Sequence, residues 1–125
     1  MEANTSIVEK TYQFAIRIVA ICRYLTTDAP VKDFILSKQL LRSGTSIGAN
    51  VEEAQHPQSL PDFISKMSIS LKETRETSYW LRLLHDTGYL TDEQVQPLLD
   101  ECHDILHILI AIVNTANRKL DKKKA

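Results

Sequence analysis

The fold of this 125-residue chain depends on residues 42–54, which read RSGTSIGANVEEA. The flanking sequence predicts that this stretch is helical, yet it contains Gly44 and Gly48. A glycine inside a helix costs about 1 kcal/mol relative to alanine, so it is expected only where something must come close to the backbone. Small residues four positions apart let a neighbouring helix approach closely. The stretch therefore predicts a tight contact between helices, with Gly44 and Gly48 as its close-packing residues.

Helix start and stop signals divide the rest of the chain. Pro30 is placed to open a second helix and Pro57 to close it, because proline suits the first turn of a helix but disfavours helical geometry in the residue before it. Gly88 ends a third helix, and Thr91 with Gln94 forms a capping box for a fourth. The predicted helices span residues 5–25, 31–56, 60–87 and 92–120.

Short connections between long helices predict antiparallel neighbours. We therefore expect an all-α fold, an antiparallel up-down-up-down four-helix bundle that forms a single domain over residues 1–125, with a basic tail at 118–125. No strand competes with this interpretation, since the apolar residues of the fourth helix keep steps of three and four over its whole length.

Two helices are apolar on more than one side. The segment from Phe14 to Cys22 has Arg17 as its only polar residue, and the segment from Ile105 to Val113 has only His107. A helix that is apolar nearly all round is buried on several sides. This pattern predicts a homo-oligomer, and the alternative is an unusually thick core within one chain.

The second helix also carries a polar band, and the third helix carries charged residues that face it in an antiparallel pair. The band consists of Gln39, Arg42, Ser46, Asn50 and Glu53, and the facing residues are Lys66, Glu73 and Glu76. With a turn near Ser59, Arg42 meets Glu73 or Glu76, and Glu53 meets Lys66. Two interpretations stay open: a structural ion-pair network, or a site for a ligand or partner.

Composition limits the class of function. The 15 basic and 16 acidic residues nearly cancel, so the chain lacks the excess positive charge of a dedicated nucleic-acid binder. Cys22 and Cys102 fall in apolar helical segments and indicate buried thiols in a reducing compartment. No apolar run reaches the roughly 20 residues that cross a bilayer, and no signal peptide is visible. We expect a soluble cytoplasmic protein that does not bind membranes.

Two sequence blocks resemble a known family. The pattern Gln39-x-x-Arg42-Ser43-x-x-Ser46-Ile47-x-x-Asn50-Val51-x-Glu53, followed by FISK at 63–66 and KETRETSYWLRLL at 72–84, is similar to the bacterial four-helix-bundle proteins first noted as reading frames within 23S ribosomal RNA intervening sequences. The resemblance implies a ring-like homopentamer. It also implies a distant relation to accessory proteins of diversity-generating retroelements, which bind a reverse transcriptase and RNA. Ala54 stands where many members have glycine.

The basic tail has two interpretations. Its positive residues are Arg118, Lys119, Lys122, Lys123 and Lys124. Positive charge at the C-terminal end of a helix is favoured by the helix dipole, which predicts a solvated helix end. The alternative is contact with RNA or DNA, because an assembled ring would bring several such tails together.

Enzymatic functions have weaker support. Glu53 and His56 match half of a di-iron ligand pattern, and Asp100 with His103 is a poor substitute for the other half. Arg82 and His85 lie too close together for the arginine and histidine pattern of small helical ribonucleases. We therefore predict a non-enzymatic protein with no catalytic residues, no metal site and no cofactor. It binds copies of itself and, as an adaptor, another macromolecule.

Overall fold

The structure is a computed structural model that describes residues 2–124, with side chains described from Ile7 onward. Its four helices are α1 (Glu2–Thr27), α2 (Leu36–Ala54), α3 (Leu60–Asp86) and α4 (Asp92–Lys124). No strand occurs within the described part of the chain. The predicted all-α four-helix fold is confirmed.

Consecutive helices pack against each other in antiparallel pairs, and α1 contacts α4 more lightly. Two contacts in each pair establish the direction. Gly44 and Gly48 lie against Ile18 and Thr11. Ser43 and Ile47 are hydrogen-bonded to Thr77 and Ser70, and Thr74 and His85 contact Cys102 and Asp92. The centre is filled by fully buried apolar side chains from all four helices, including Phe14, Ile18, Leu40, Ile47, Met67, Leu81, Ile105 and Leu109.

The ends of the helices follow local hydrogen bonding. The Asp62 amide donates to the Ser59 hydroxyl at 3.1 Å and so begins α3. The predicted capping box is present at the start of α4: the Thr91 amide donates to the Gln94 side chain at 2.9 Å, and the Gln94 amide donates to the Thr91 hydroxyl at 3.3 Å. Gly88 follows α3 with a φ of 89°, a conformation that favours glycine.

The predicted start of the second helix is wrong. The helix begins at Leu36 and not at residue 31, and Pro30 lies in the preceding connection. Asp33 explains the difference: its carboxylate accepts a hydrogen bond from the Ser37 amide at 2.7 Å, and its own amide donates to the Leu25 carbonyl at 3.0 Å. These bonds hold the connection against the end of α1, so the helix starts only after Asp33.

Other helix ends differ from the predicted ones by a few residues. The first helix starts at Glu2, ahead of the expected residue 5, and the second ends at Ala54, just before the expected residue 56. The fourth helix continues to Lys124, past the expected residue 120. Three lysines in its last turn are compatible with the negative end of the helix dipole, which supports this extension.

The two glycines of α2 lie against α1. A Cβ atom at Gly44 would lie 2.7 Å from the Ile18 Cγ2 atom, and one at Gly48 would lie 3.3 Å from the Thr11 carbonyl carbon and oxygen. The first distance is shorter than any normal carbon contact, and the second leaves little room against a helix backbone. The two glycines therefore set how closely α1 and α2 approach, as the sequence predicts.

We predict that Gly44→Ala destabilises the protein even though alanine is the better helix former. The branched Ile18 side chain has little rotamer freedom in a helix, so α1 must move to make room for the new methyl group. Such overpacking costs about 1–3 kcal/mol, of which improved helix propensity returns about 1 kcal/mol. The free energy of unfolding, measured with urea, is expected to fall.

A double-mutant cycle controls this prediction. An Ile18→Ala background removes Cγ1 and Cγ2 of Ile18, the two atoms closest to the new methyl group, so Gly44→Ala is expected to be neutral or stabilising there. An equal loss of stability in both backgrounds would contradict the close-packing role of Gly44.

Candidate functional site

The centre of the candidate site is an ion-pair cluster between α2 and α3. Arg42 extends from α2 to two carboxylates on α3: its Nη1 atom lies 3.3 Å from Glu73 Oε2, and its Nη2 atom pairs with Glu76 Oε1. Glu73 and Glu76 are three positions apart and therefore share one helix face. The antiparallel register predicts that Arg42 meets Glu73 or Glu76, and the structure pairs it with both.

Two further side chains hold this cluster in place. The Trp80 indole nitrogen donates to the same Glu76 oxygen at 3.3 Å, and the Arg42 Nε atom donates to the Gln39 side-chain oxygen at 3.4 Å. The Glu73 side chain is only 10% exposed, whereas that of Arg42 is 48% exposed. The cluster therefore has a buried carboxylate at its inner end and a solvated guanidinium at its outer end.

A row of hydroxyl groups lies beneath the ion pairs. The Thr77 hydroxyl donates to the Ser43 hydroxyl at 3.0 Å, and the Ser70 hydroxyl donates to the Ile47 carbonyl oxygen at 2.8 Å. Ser43, Ser70 and Thr77 are all buried. The polar band predicted from the sequence omits Ser43, because that residue lies toward the glycine side of α2. The antiparallel register, which brings residue 43 next to residue 77, is the signal that identifies it.

Other members of the predicted band stay within their own helix. The Ser46 hydroxyl donates to the Arg42 carbonyl oxygen at 2.7 Å, and the Asn50 side-chain amide donates to the Ser46 carbonyl oxygen at 2.9 Å. Lys66 pairs with Asp62 at 3.2 Å on α3, and Glu53 is exposed. The predicted pair of Glu53 with Lys66 is therefore wrong: Asp62, one turn away on the same helix, is the partner that Lys66 meets without leaving α3.

The buried atoms of the network are all hydrogen-bonded. No buried side-chain nitrogen or oxygen atom within the described side chains lacks a partner. A binding site usually keeps polar groups available for its ligand, whereas this cluster uses them on itself. The geometry favours the structural interpretation over a ligand site.

A second feature of the surface is an exposed set of large apolar side chains, which we call the apolar face. It lies on α1, the connection that follows and the first turns of α2, and it comprises Tyr12 (54% exposed), Ile16 (48%), Val19 (36%), Phe34 (63%) and Leu41 (38%). Tyr12, Ile16 and Val19 line one shallow groove, and Val19, Phe34 and Leu41 line the next. The apolar segment from Phe14 to Cys22 is thus divided: Phe14, Ile18 and Cys22 enter the core, and Ile16 and Val19 face outward.

The apolar segment of α4 is covered more completely. Ile105 and Leu109 are buried, and Ile108, Ile112 and Val113 are half-buried against the core. A larger groove of about 580 Å³ lies near its end, between Leu60 and Phe63 of α3 and Ala111 and Ile112 of α4.

The basic tail forms the last turns of α4. Arg118, Lys119 and residues 122–124 are all exposed, and the Arg118 guanidinium donates to the Thr115 hydroxyl at 3.3 Å. With 33 residues against the 27 of α3, α4 is longer by roughly two turns. No salt bridge involves a tail residue within the described part of the chain.

The histidines considered as metal ligands or catalytic groups lie on the surface. His56 is exposed two residues beyond the end of α2. His103 and His107 contact each other, with 3.1 Å between their Nε2 atoms, and Asp100 accepts a hydrogen bond from Gln96 at 2.9 Å. Among residues 2–124, no group of three or more histidine, cysteine or acidic side chains is arranged to hold a metal ion.

The remaining titratable groups have clear physical environments. His85 lies between Asp86 and Asp92, and hydrogen bonds to these carboxylates raise the pKa of its imidazole. Burial raises the pKa of the Cys22 and Cys102 thiols to about 12, so both side chains behave as small apolar groups.

The family of the chain is identified by a sequence match that includes both helices of this network. A family model described as 23S rRNA-intervening sequence protein matches residues 3–111, which include α2 and α3 entirely. The chain belongs to this family. The resemblance of its two sequence blocks to the intervening-sequence proteins is thereby confirmed.

A solved structure of this kind is similar over nearly the whole chain. It is the crystal structure of a protein of unknown function from the S23 ribosomal protein family of Bacteroides thetaiotaomicron. The two chains are 44% identical with a TM-score of 0.85, and the match covers 90% of this chain and 98% of the other. A search of the curated proteins found no match.

The length and apolar character of a helix decide whether it can cross a membrane. None of the helices within the described residues combines the length and the apolar character that crossing a bilayer requires.

We predict that Arg42→Ala destabilises this intervening-sequence protein mainly through Glu73. Removing the guanidinium leaves a nearly buried carboxylate without its cation, which costs about 1–3 kcal/mol. Adding Glu73→Gln to Arg42→Ala is expected to restore part of the loss, because an amide is cheaper to bury than an unpaired charge. The free energy of unfolding of the two single variants and the double variant provides the measurement.

Glu76 supplies the matched comparison. Its side chain is 27% exposed, so Glu76→Gln in the Arg42→Ala background is expected to restore less stability than Glu73→Gln. Strictly additive losses for Arg42→Ala and Glu73→Gln would contradict the coupling.

Proposed function

We propose that this protein is a non-enzymatic scaffold or adaptor that assembles as a homo-oligomer and binds another macromolecule. The observation that carries the proposal is the apolar face. Five large apolar side chains between 36% and 63% exposed lie along α1, the connection that follows and the first turns of α2. A contiguous apolar surface of this kind marks a protein contact more often than it marks free surface.

The core gives independent support. The described side chains already provide a filled centre, so the apolar face is not needed to stabilise the single bundle. Burying this face in a contact between copies would remove apolar surface from water at roughly 25 cal/mol per Å². We infer that α1, which carries Tyr12, Ile16 and Val19 of this face, is a main contributor to self-association.

The resemblance to the intervening-sequence proteins extends this proposal to a ring of five copies. We also propose a cytoplasmic location, which is supported by two free thiols in a small domain. The non-enzymatic role is supported by the use of the Arg42, Glu73 and Glu76 side chains as ion pairs between α2 and α3.

We predict that Ile16→Glu converts the oligomer to a monomer. Ile16 is 48% exposed in the single chain, so the change leaves the core intact but puts a charge in the centre of the apolar face. Size exclusion with light scattering is expected to give a multiple of 14.2 kDa for the wild type and 14.2 kDa for the variant.

The matched control is Asn114→Glu, which adds the same charge at an exposed position of α4 outside the apolar face. It is expected to keep the wild-type mass. Circular dichroism establishes that both variants stay helical. A monomeric wild type at micromolar concentration would overturn self-association, and an Ile16→Glu oligomer would exclude α1 from the contact.

The exposed basic tail favours a second candidate function, that of an accessory nucleic-acid-binding protein. Five positive side chains occupy the last turns of α4 without a carboxylate partner among the described residues. An oligomer would bring several tails together, and such contacts with phosphates release counterions. DNA and RNA share this chemistry, and the observation favours neither.

We predict for this candidate that a 20-nucleotide single-stranded RNA binds at low salt and is released steeply as salt rises. Lys122→Ala, Lys123→Ala and Lys124→Ala together are expected to reduce the salt dependence, measured by fluorescence anisotropy. No binding at low salt would exclude this candidate and leave the scaffold proposal intact.

A further inference from the structure

The acidic and basic side chains of α3 differ in how far they are paired. All four of its carboxylates are engaged: Asp62 with Lys66, Glu73 and Glu76 with Arg42, and Asp86 with His85. Three of its cations are exposed and form no salt bridge within the described residues, namely Lys72, Arg75 and Arg82. Within the described residues, α3 therefore presents three exposed cations without a carboxylate partner.

Two of these cations line a groove between α3 and α4. Its volume is about 370 Å³, and its α3 side is formed by Arg75, Ser78 and Arg82. Its α4 side is formed by Leu99, His103 and Leu106, of which the leucines are half-buried. The groove thus has an apolar wall along one helix and a positive rim along the other.

The spacing of these residues along the groove matches the apolar repeat of a partner helix. Arg75 and Arg82 are seven positions apart on α3, and Leu99 and Leu106 are seven positions apart on α4, so each pair spans two turns, or about 10 Å. An amphipathic helix repeats its apolar side chains at positions i, i+3, i+4 and i+7, and two helical turns of such a stripe match the leucine wall.

We propose that this groove binds an acidic amphipathic helix of a partner protein. Its apolar stripe packs on Leu99 and Leu106, and its carboxylates pair with Arg75 and Arg82. Arginine suits this role because its planar guanidinium binds a carboxylate through two parallel hydrogen bonds. The proposal rests on the adaptor role proposed above and names the chemistry of the partner.

The apolar wall distinguishes this partner from a nucleic acid. A phosphate backbone would use the arginines and leave both leucines without an apolar contact. Tyr79 is 51% exposed, but the Arg82 guanidinium already lies 6.0 Å from the centre of its ring. The surface therefore offers less to a stacked base than to a helix with an apolar stripe.

The test is a selection of displayed random 16-residue peptides on the wild-type protein. The enriched peptides are expected to contain helically spaced apolar residues flanked by aspartate or glutamate. The most enriched peptide, made synthetically, is expected to bind Arg75→Glu/Arg82→Glu at least about tenfold more weakly, since two charge-assisted contacts become repulsive. Its binding to Lys122→Glu/Lys123→Glu, which changes the charge equally at the tail, is expected to be unchanged.

Three results would overturn the proposal: no enrichment above the empty support, enriched peptides without acidic residues, or equal binding to the groove variant and the wild type. A 20-nucleotide poly(U) RNA that binds the wild type and is lost in Arg75→Glu/Arg82→Glu would assign the groove to nucleic acid instead. Light scattering distinguishes a failure of this proposal from a failure of self-association, because Arg75→Glu/Arg82→Glu is expected to keep the wild-type mass. A monomeric wild type that still binds the peptide would overturn only the oligomer.

Discussion

The close approach of α1 and α2 at Gly44 and Gly48 is the constraint on which the rest of the structure depends. Ile18 and the Thr11 backbone occupy the space that a side chain at either position would fill. With α1 fixed on this side of α2, Arg42 emerges on another side and meets Glu73 and Glu76 of α3. Ser43, between the two surfaces, bonds to Thr77. One short segment of α2 therefore positions the helices on both of its sides.

The same arrangement explains why the polar network on α2 and α3 is a poor binding surface. The cluster around Arg42 has its hydrogen-bonding groups bonded to one another, and the hydroxyl row beneath it is buried. A satisfied and partly buried network specifies how two helices pair, but it leaves few groups to recognise a ligand. Surfaces available for recognition lie elsewhere, on the apolar face of α1 and in the groove between α3 and α4.

Much of the fold was predictable because its signals are local. The capping box of Thr91 and Gln94 acts over three residues, so the sequence places it accurately. Local reasoning failed where a distant contact intervened. Asp33 is held by the Leu25 carbonyl and delays the start of α2. The opposite error occurred at Lys66, where a local contact with Asp62 on the same helix replaces the expected contact with Glu53 on α2. Ser43 was left out of the predicted polar band because it lies toward the glycine side of α2, although the antiparallel register places it next to Thr77.

The sequence by itself determined the four helices, the glycine contact and the pairing of Arg42 with α3, since each follows from helical periodicity, backbone sterics or antiparallel register. Only the tertiary structure decided which apolar residues of α1 stay outside the core, because burial depends on all the helices that pack around a position. It also decided that Arg75 and Arg82 share a groove with Leu99 and Leu106. No local pattern links these pairs, which lie on different helices and meet only when the bundle closes.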